Sequence, residues 1–178
     1  MIELKSENSA SVPAGMETVY TGAFPPEERR PWSDLLRRAD SDPRFSLYTI
    51  MSDGIPAGLI TVWNLGIARY VEHFAIDPAM RGAGIGQDVI KKIISMPGAP
   101  VVLEVESEST GDTARRRIGF YTRAGLTAHH LFSYIQPPYA PGLPEVPLTL
   151  MTSSPLPLDD ITALLHREIY GKIQDDKS

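Results

Sequence analysis

The stretch EHFAIDPAMRGAGIGQDVIKKI, Glu72 to Ile93, concentrates residues whose types and spacing could do chemistry. An extended apolar run ends at Asp77-Pro78. The loop Arg81-Gly82-Ala83-Gly84-Ile85-Gly86 then leads straight into an amphipathic helix. Three glycines in five positions let backbone N–H groups converge on a ligand with no side chain in the way. Those groups and the positive end of the helix make an anion site, and a diphosphate is the expected anion. The residues after the glycines exclude two familiar diphosphate binders. A P-loop needs Lys-Ser/Thr, whereas Gly86 is followed by Gln87-Asp88. A dinucleotide fingerprint needs a third glycine after a two-residue gap, and Val89 stands there. A glycine-rich turn without a ligand is the plain alternative.

Two carboxylates stand near this loop. Glu72 lies on the strand before it, and regular alternation puts its side chain on the face of Phe74 and Ile76. The same alternation puts His73 on the opposite face, packed under a helix. Glu104 interrupts the apolar face of the strand VVLEVE, where a charge is costly unless used or paired. Either carboxylate could take a proton or bind a cationic acceptor, and a polar residue at the open end of a sheet is the plain reading of both. The four histidines, at 73, 129, 130 and 166, show no metal-ligand spacing, so no metal is expected. The chain has no cysteine, which excludes disulfides, thiolate zinc sites and a cysteine nucleophile.

The pattern Arg81-x-x-Gly84-x-Gly86 after an apolar strand resembles the acyl-CoA pyrophosphate loop of the GNAT family of N-acetyltransferases. Further along, ARRRIGFYTRAGL, Ala114 to Leu126, resembles that family's second conserved segment, where a helix ends in an aromatic–tyrosine pair and a glycine. The two segments stand in family order with the strand Val101 to Val105 between them, and the order of elements matches along nearly the whole chain. The resemblance implies a single domain over 1–178 with an α/β fold. Its central sheet would be mixed, of about six to seven strands flanked by helices, and splayed at the acyl-CoA site. It implies acetyl-CoA as cosubstrate and direct attack by an amine on the thioester in a ternary complex, without an acyl-enzyme.

The same resemblance assigns residues. Phe74, Ala75 and Ile76 would pair with the pantetheine arm. Arg81, Gly82, Ala83, Gly84, Ile85, Gly86 and Gln87 would hold the cofactor's diphosphate. Tyr121 matches the tyrosine that returns a proton to the leaving thiolate, a task within reach of a phenol with pKa ~10. Glu72 is the expected base, since several family members carry one at this level of the strand. Glu104, singled out by its apolar strand rather than by the resemblance, is the rival base and the expected partner of the acceptor ammonium. The family often has an asparagine early in the second-segment helix, where this chain reads Thr113-Ala114-Arg115. Arg115 to Arg117 could meet CoA phosphates there, or form a solvated helix face. A non-catalytic acyl-CoA sensor with the same fold is the alternative function, and the intact loop and Tyr121 favour an enzyme.

The elements that must position these residues follow from periodicity. METVYTGAF predicts a helix stopped by Pro25-Pro26, and Trp32 to Arg38 a second one after Pro31. Phe45 to Met51 and Pro56 to Trp63 read as a hairpin around Ser52-Asp53-Gly54, and Tyr70 to Ile76 as a third strand. Gly86 to Ser95 and Thr113 to Arg123 are helices, the latter with Gly125 as a left-handed cap. Leu131 to Ile135 and Val146 to Met151 read as strands, and Asp159 to Tyr170 as a last helix with a cap near Leu158-Asp159. A mixed α/β sheet fits this order.

Composition narrows the partners. The chain has 178 residues, 42% apolar and 22% charged, the balance of one ordinary folded domain. A net charge of −5 argues against a general nucleic-acid or anionic-membrane surface. MIELKSENSA is too polar for a secretory leader, and no apolar run suffices to cross a bilayer, so a cytoplasmic location is expected. Of sixteen prolines, seven fall between Pro137 and Pro157, marking a stiff connection. Within it Tyr139 is the candidate wall of an acceptor site. The resemblance places the acceptor groove along FPPEERRPW, Phe24 to Trp32, and YIQPPYAPGLPEVP, Tyr134 to Pro147. The acceptor would be a small-molecule or peptide amine.

Overall fold

Strands with alternating apolar residues build one sheet, and helices with one apolar stripe cover both of its faces. The computed structural model describes residues 1–171. In chain order the elements are β1 (Ile2–Glu7), α1 (Met16–Ala23), α2 (Trp32–Ser41), β2 (Phe45–Ser52), β3 (Ile55–Asn64), β4 (Arg69–Ile76), α3 (Ile85–Ser95), β5 (Val101–Glu106), α4 (Asp112–Ala124), β6 (Thr127–Ala128), β7 (Tyr134–Gln136), β8 (Val146–Thr152) and α5 (Leu158–Glu168). The sheet runs β1-β2-β3-β4-β5-β8-β6, with β7 also paired to β8. Every pairing is antiparallel except β4 with β5, which is parallel. Val89, Ile90 and Ile93 of α3 and Ile118 of α4 pack on one face. Met16 and Tyr20 of α1, Leu35 of α2 and Ile161 and Leu165 of α5 pack on the other.

Two irregularities in β4 shape the site. First, the β4–β5 ladder ends at Val71 opposite Leu103, although β4 continues to Ile76 and β5 to Glu106 on their other neighbours. The two strands therefore splay apart, as expected. Second, β3 pairs Thr61 with His73 but Val62 with Val71, which leaves Glu72 as an extra residue in a β-bulge. The bulge shifts the alternation. Glu72 and His73 both face α1, where His73 rings against Tyr20 and Phe24 at 5.0 and 4.9 Å. Phe74 turns to the opposite face and stacks on Phe120 of α4. The expectation that Glu72 shares a face with Phe74 and Ile76 is thus corrected, while His73 does pack under a helix. Gly58 keeps β3 against the end of β4, because a Cβ there would lie 2.2 Å from the Ala75 carbonyl oxygen.

Other boundaries differ from the sequence reading for local reasons. β1 is an unanticipated edge strand whose Ile2 and Leu4 reach the core between the polar Glu3 and Lys5. Leu131 is fully exposed in a turn, so the strand expected at Leu131 to Ile135 is the shorter β7, Tyr134–Gln136. α5 starts after Pro157 with no side-chain cap. Gly125 does close α4 in the left-handed region, at φ 112°. No helix among the described residues is long and apolar enough to cross a membrane.

Candidate active site

The splay opens a cavity of about 610 Å³ lined from both strand ends and from the glycine loop. At one end the loop and α3 converge. Gly82 and Gly84 adopt φ of 92° and 77°, a region that disfavours side chains, and Gly84 starts α3. The first-turn N–H groups of a helix have no intrahelical partner, so those of Ile85, Gly86 and Gln87 are donors at the cavity. Gly86 is glycine for a packing reason, since a Cβ would meet Phe120 Cζ at 3.0 Å. Gln87 Nε2 donates to the Phe120 carbonyl at 2.6 Å, tying the start of α3 to α4. Its side chain is therefore committed, and its backbone is what faces a ligand. Arg81 Nε donates to the Ile76 carbonyl at 3.1 Å, and Ala83 is absent from the cavity lining.

Acetyl-CoA fits these features in three ways. The left-handed glycines and the helix start suit a diphosphate. Phe74 to Ile76 line the cavity on a strand edge that β5 does not pair, which can bond an extended amide-bearing arm. Tyr121, half-buried on α4, also lines the cavity. Burial pushes its phenol up to about 12 against the opposing pull of Arg117, so it holds its proton at neutral pH. Arg116 and Arg117 line the cavity, whereas Arg115 pairs with Asp112.

The two carboxylates also line this cavity. The Glu72 side chain is fully buried, with Oε1 2.8 Å from Arg30 Nε and 3.0 Å from the Tyr139 hydroxyl. Its Oε2 accepts from Trp63 Nε1 at 2.6 Å. Burial alone would raise its pKa, but the Arg30 charge and these donors hold it below the usual carboxylate range. Arg30 is fixed in turn by the Ile169 carbonyl at 2.7 Å and lies 5.2 Å from the Tyr139 ring centre. Glu104 is different. Its oxygens accept from the hydroxyls of Tyr134, Tyr70 (2.8 Å) and Tyr170 (2.8 and 3.1 Å), and no cation pairs with it among the described residues. Burial pushes its carboxyl up to about 7 even though the tyrosines pull it down. Tyr139 lies 5.0 Å ring to ring from Tyr170, so one aromatic pair joins the two carboxylates.

The structure thus brings Tyr121, Glu72, Glu104, Tyr139 and the loop residues other than Ala83 into one cavity. Sequence reasoning missed Arg30, Trp63 and the cage of Tyr70, Tyr134 and Tyr170. The signal for the cage was present, because a glutamate inside an apolar strand demands partners. Arg30 lay within the segment expected to line the groove, without any local feature separating it from its neighbour Arg29. Among the described residues no group of three or more His, Asp or Glu could hold a metal ion.

Known proteins share this fold. The profile of the acetyltransferase (GNAT) family matches residues 14–126. A Bacteroides thetaiotaomicron structure assigned to the GNAT family of acetyltransferases is 34% identical, with 95% of this chain and 98% of that chain covered and a TM-score of 0.88. A GNAT family acetyltransferase from Elizabethkingia anophelis with acetyl-CoA bound shares the fold at 12% identity, covering 86% of this chain and 98% of its own, at a TM-score of 0.58. An aminoglycoside acetyltransferase solved with coenzyme A and kanamycin does so at 13% identity, 94% and 99% coverage and a TM-score of 0.60. No curated protein sequence matches.

Proposed function

Because the chain belongs to the GNAT family of acetyltransferases, we propose that it transfers an acetyl group from acetyl-CoA to the nitrogen of a small-molecule or peptide amine by direct attack in a ternary complex. The observation that carries this reading is the single cavity in which a diphosphate-suited loop, a protonated Tyr121 and a near-neutral Glu104 meet. Acetyl-CoA supplies the activated thioester. The glycine loop and the start of α3 bind its diphosphate, and the unpaired edge at Phe74 to Ile76 aligns its arm. Tyr121 keeps a proton on its hydroxyl, which a departing thiolate needs.

The base is assigned to Glu104 rather than to Glu72, the residue expected from the sequence, while Glu104 keeps its expected place beside the ammonium. Glu104 is the base and ammonium partner, because its pKa of about 7 leaves it able to gain and lose a proton at neutral pH. Glu72 is a positioning residue that holds Arg30 and Tyr139. Tyr139 walls the acceptor end. The test is release of free thiol from acetyl-CoA across an amine panel. Amine-dependent release is expected, with Tyr121→Phe slowing turnover by ~10²–10⁴-fold while acetyl-CoA still stabilises the protein thermally. Acetyl-CoA stabilisation with no amine-dependent release in any member of the panel would instead fit a sensor.

A further inference from the structure

Gln136 is 3% exposed, and its Nε2 is buried with no hydrogen-bond partner among the described residues. It lines the same cavity as Glu104. Tyr134 and Gln136 are the two buried positions of β7, on one face and about 7 Å apart. The Tyr134 hydroxyl reaches Glu104, so the orphaned amide stands one strand step along from the caged carboxylate. A buried N–H donor without a partner is destabilising, and native proteins rarely leave one unpaired. A carboxylate and a neutral donor lining one cavity are a recognition pattern. The first takes an ammonium, and the second takes an uncharged oxygen beside it.

We propose that the acceptor is an α-amino amide, whose ammonium meets the Glu104 carboxylate while the adjacent carbonyl oxygen accepts a hydrogen bond from Gln136 Nε2. This rests on the acetyl-transfer reading above and names its substrate class. A carboxylate in place of the amide carbonyl would stand beside ionisable Glu104 and meet Gln136, a neutral donor, so a free amino acid fits less well there. Phe24 and Leu148 also line the cavity and suit an apolar substituent on the amine. The basicities agree as well. An α-ammonium, at about 7.7–8.0, yields its proton to a base near 7 more readily than an alkylammonium above 10. The chemistry is shared by two sources, a free amino-acid amide and the N-terminus of a peptide.

The probes are phenylalaninamide, phenethylamine, which is the same amine without the amide, and a phenylalanyl-glycyl-glycine amide. Wild type and Gln136→Met are compared for kcat/KM by thiol release, and for amine affinity by calorimetry in the presence of CoA. Both proteins see the same amines, so differences in amine basicity cancel between them. The expected result is that the preference for phenylalaninamide over phenethylamine falls about tenfold or more in the variant, in both readouts. A higher kcat/KM for the tripeptide amide than for phenylalaninamide points to a peptide source, and the reverse to a small molecule. An unchanged preference, with thiol still released, overturns the subsite and leaves acetyl transfer standing. A preference visible in affinity with no thiol released for any amine keeps the subsite and removes the transferase reading. If wild type binds the two amines equally, the proposal is overturned whether or not the variant folds.

Discussion

Glu72 and Glu104 stand at the two lips of the same splay, one on β4 and one on β5, the Glu72 side chain fully buried and Glu104 partly buried in its tyrosine cage. Burial acts on both in the same direction, disfavouring the charged form. What differs is the company. Glu72 meets a guanidinium, which cancels its charge, and its carboxyl is held below the usual range. Glu104 meets three phenols, which donate hydrogen bonds but bring no charge, and it stays near 7. Hydrogen bonds alone do not offset the desolvation of a carboxylate. An arginine makes a permanent anion that organises structure, and a tyrosine cage makes an anion that exchanges its proton near neutrality.

The strongest test of this contrast is Glu104→Gln. A base must be ionised to work, so wild-type turnover should rise with pH through a midpoint near 7. The variant should lose ~10²–10⁴-fold in kcat together with that acidic limb. Stability should move with it. A carboxyl whose folded pKa is raised contributes stability that is fully present below its unfolded value, and loses it as pH rises toward 7. Denaturant titrations should show wild type declining across that window and the variant flatter. An acidic limb surviving in Glu104→Gln would break the contrast.

Next in size is Glu72→Ala. It removes the nearer of the two carboxylates that pair with Arg30, whose side chain is 6% exposed and keeps Asp34 at 3.5 Å. The loss is therefore expected below the ~3–5 kcal/mol of a fully stranded buried charge. Chemical denaturation should show this loss. The sign with pH is opposite to Glu104, because a carboxyl with a lowered folded pKa gives stability above its ordinary value and loses it as pH falls below about 4.5. A variant of full stability whose kcat alone collapses would make Glu72 the base and reverse the comparison.

How much of this was legible in the sequence depends on how local each feature is. The glycine loop and the helix after it were readable because both are set by three glycines and an apolar stripe. Glu104 was flagged by its place in an apolar strand, but its cage joins β4, β7 and the end of α5, and no spacing announces that. The bulge at Glu72 was hidden. It arises from how β4 registers on β3, and one extra residue is enough to send Phe74 to the other face. β1 was missed because an edge strand shares its polar positions with solvent and so reads as a polar segment.

The finest test separates the two tyrosines that link the carboxylates. Tyr139→Phe keeps the ring beside Arg30 and removes one donor to Glu72, which retains Arg30 and Trp63. A stability loss of about 1–2 kcal/mol is expected, with the acidic limb of turnover unmoved. Tyr170→Phe removes a hydroxyl that reaches both oxygens of Glu104. Those bonds favour the ionised form, so their loss raises the Glu104 pKa and carries the acidic limb to higher pH. A charge-assisted bond of ~1.5 kcal/mol corresponds to about one pH unit, so the midpoint should move up by that amount. The measurement is the pH profile of kcat/KM for the two variants with one acceptor. Movement in Tyr170→Phe alone assigns the titration to the tyrosine cage. Equal movement in both variants would mean that the aromatic pair couples the carboxylates into one titrating unit, and the contrast between the two lips would no longer hold.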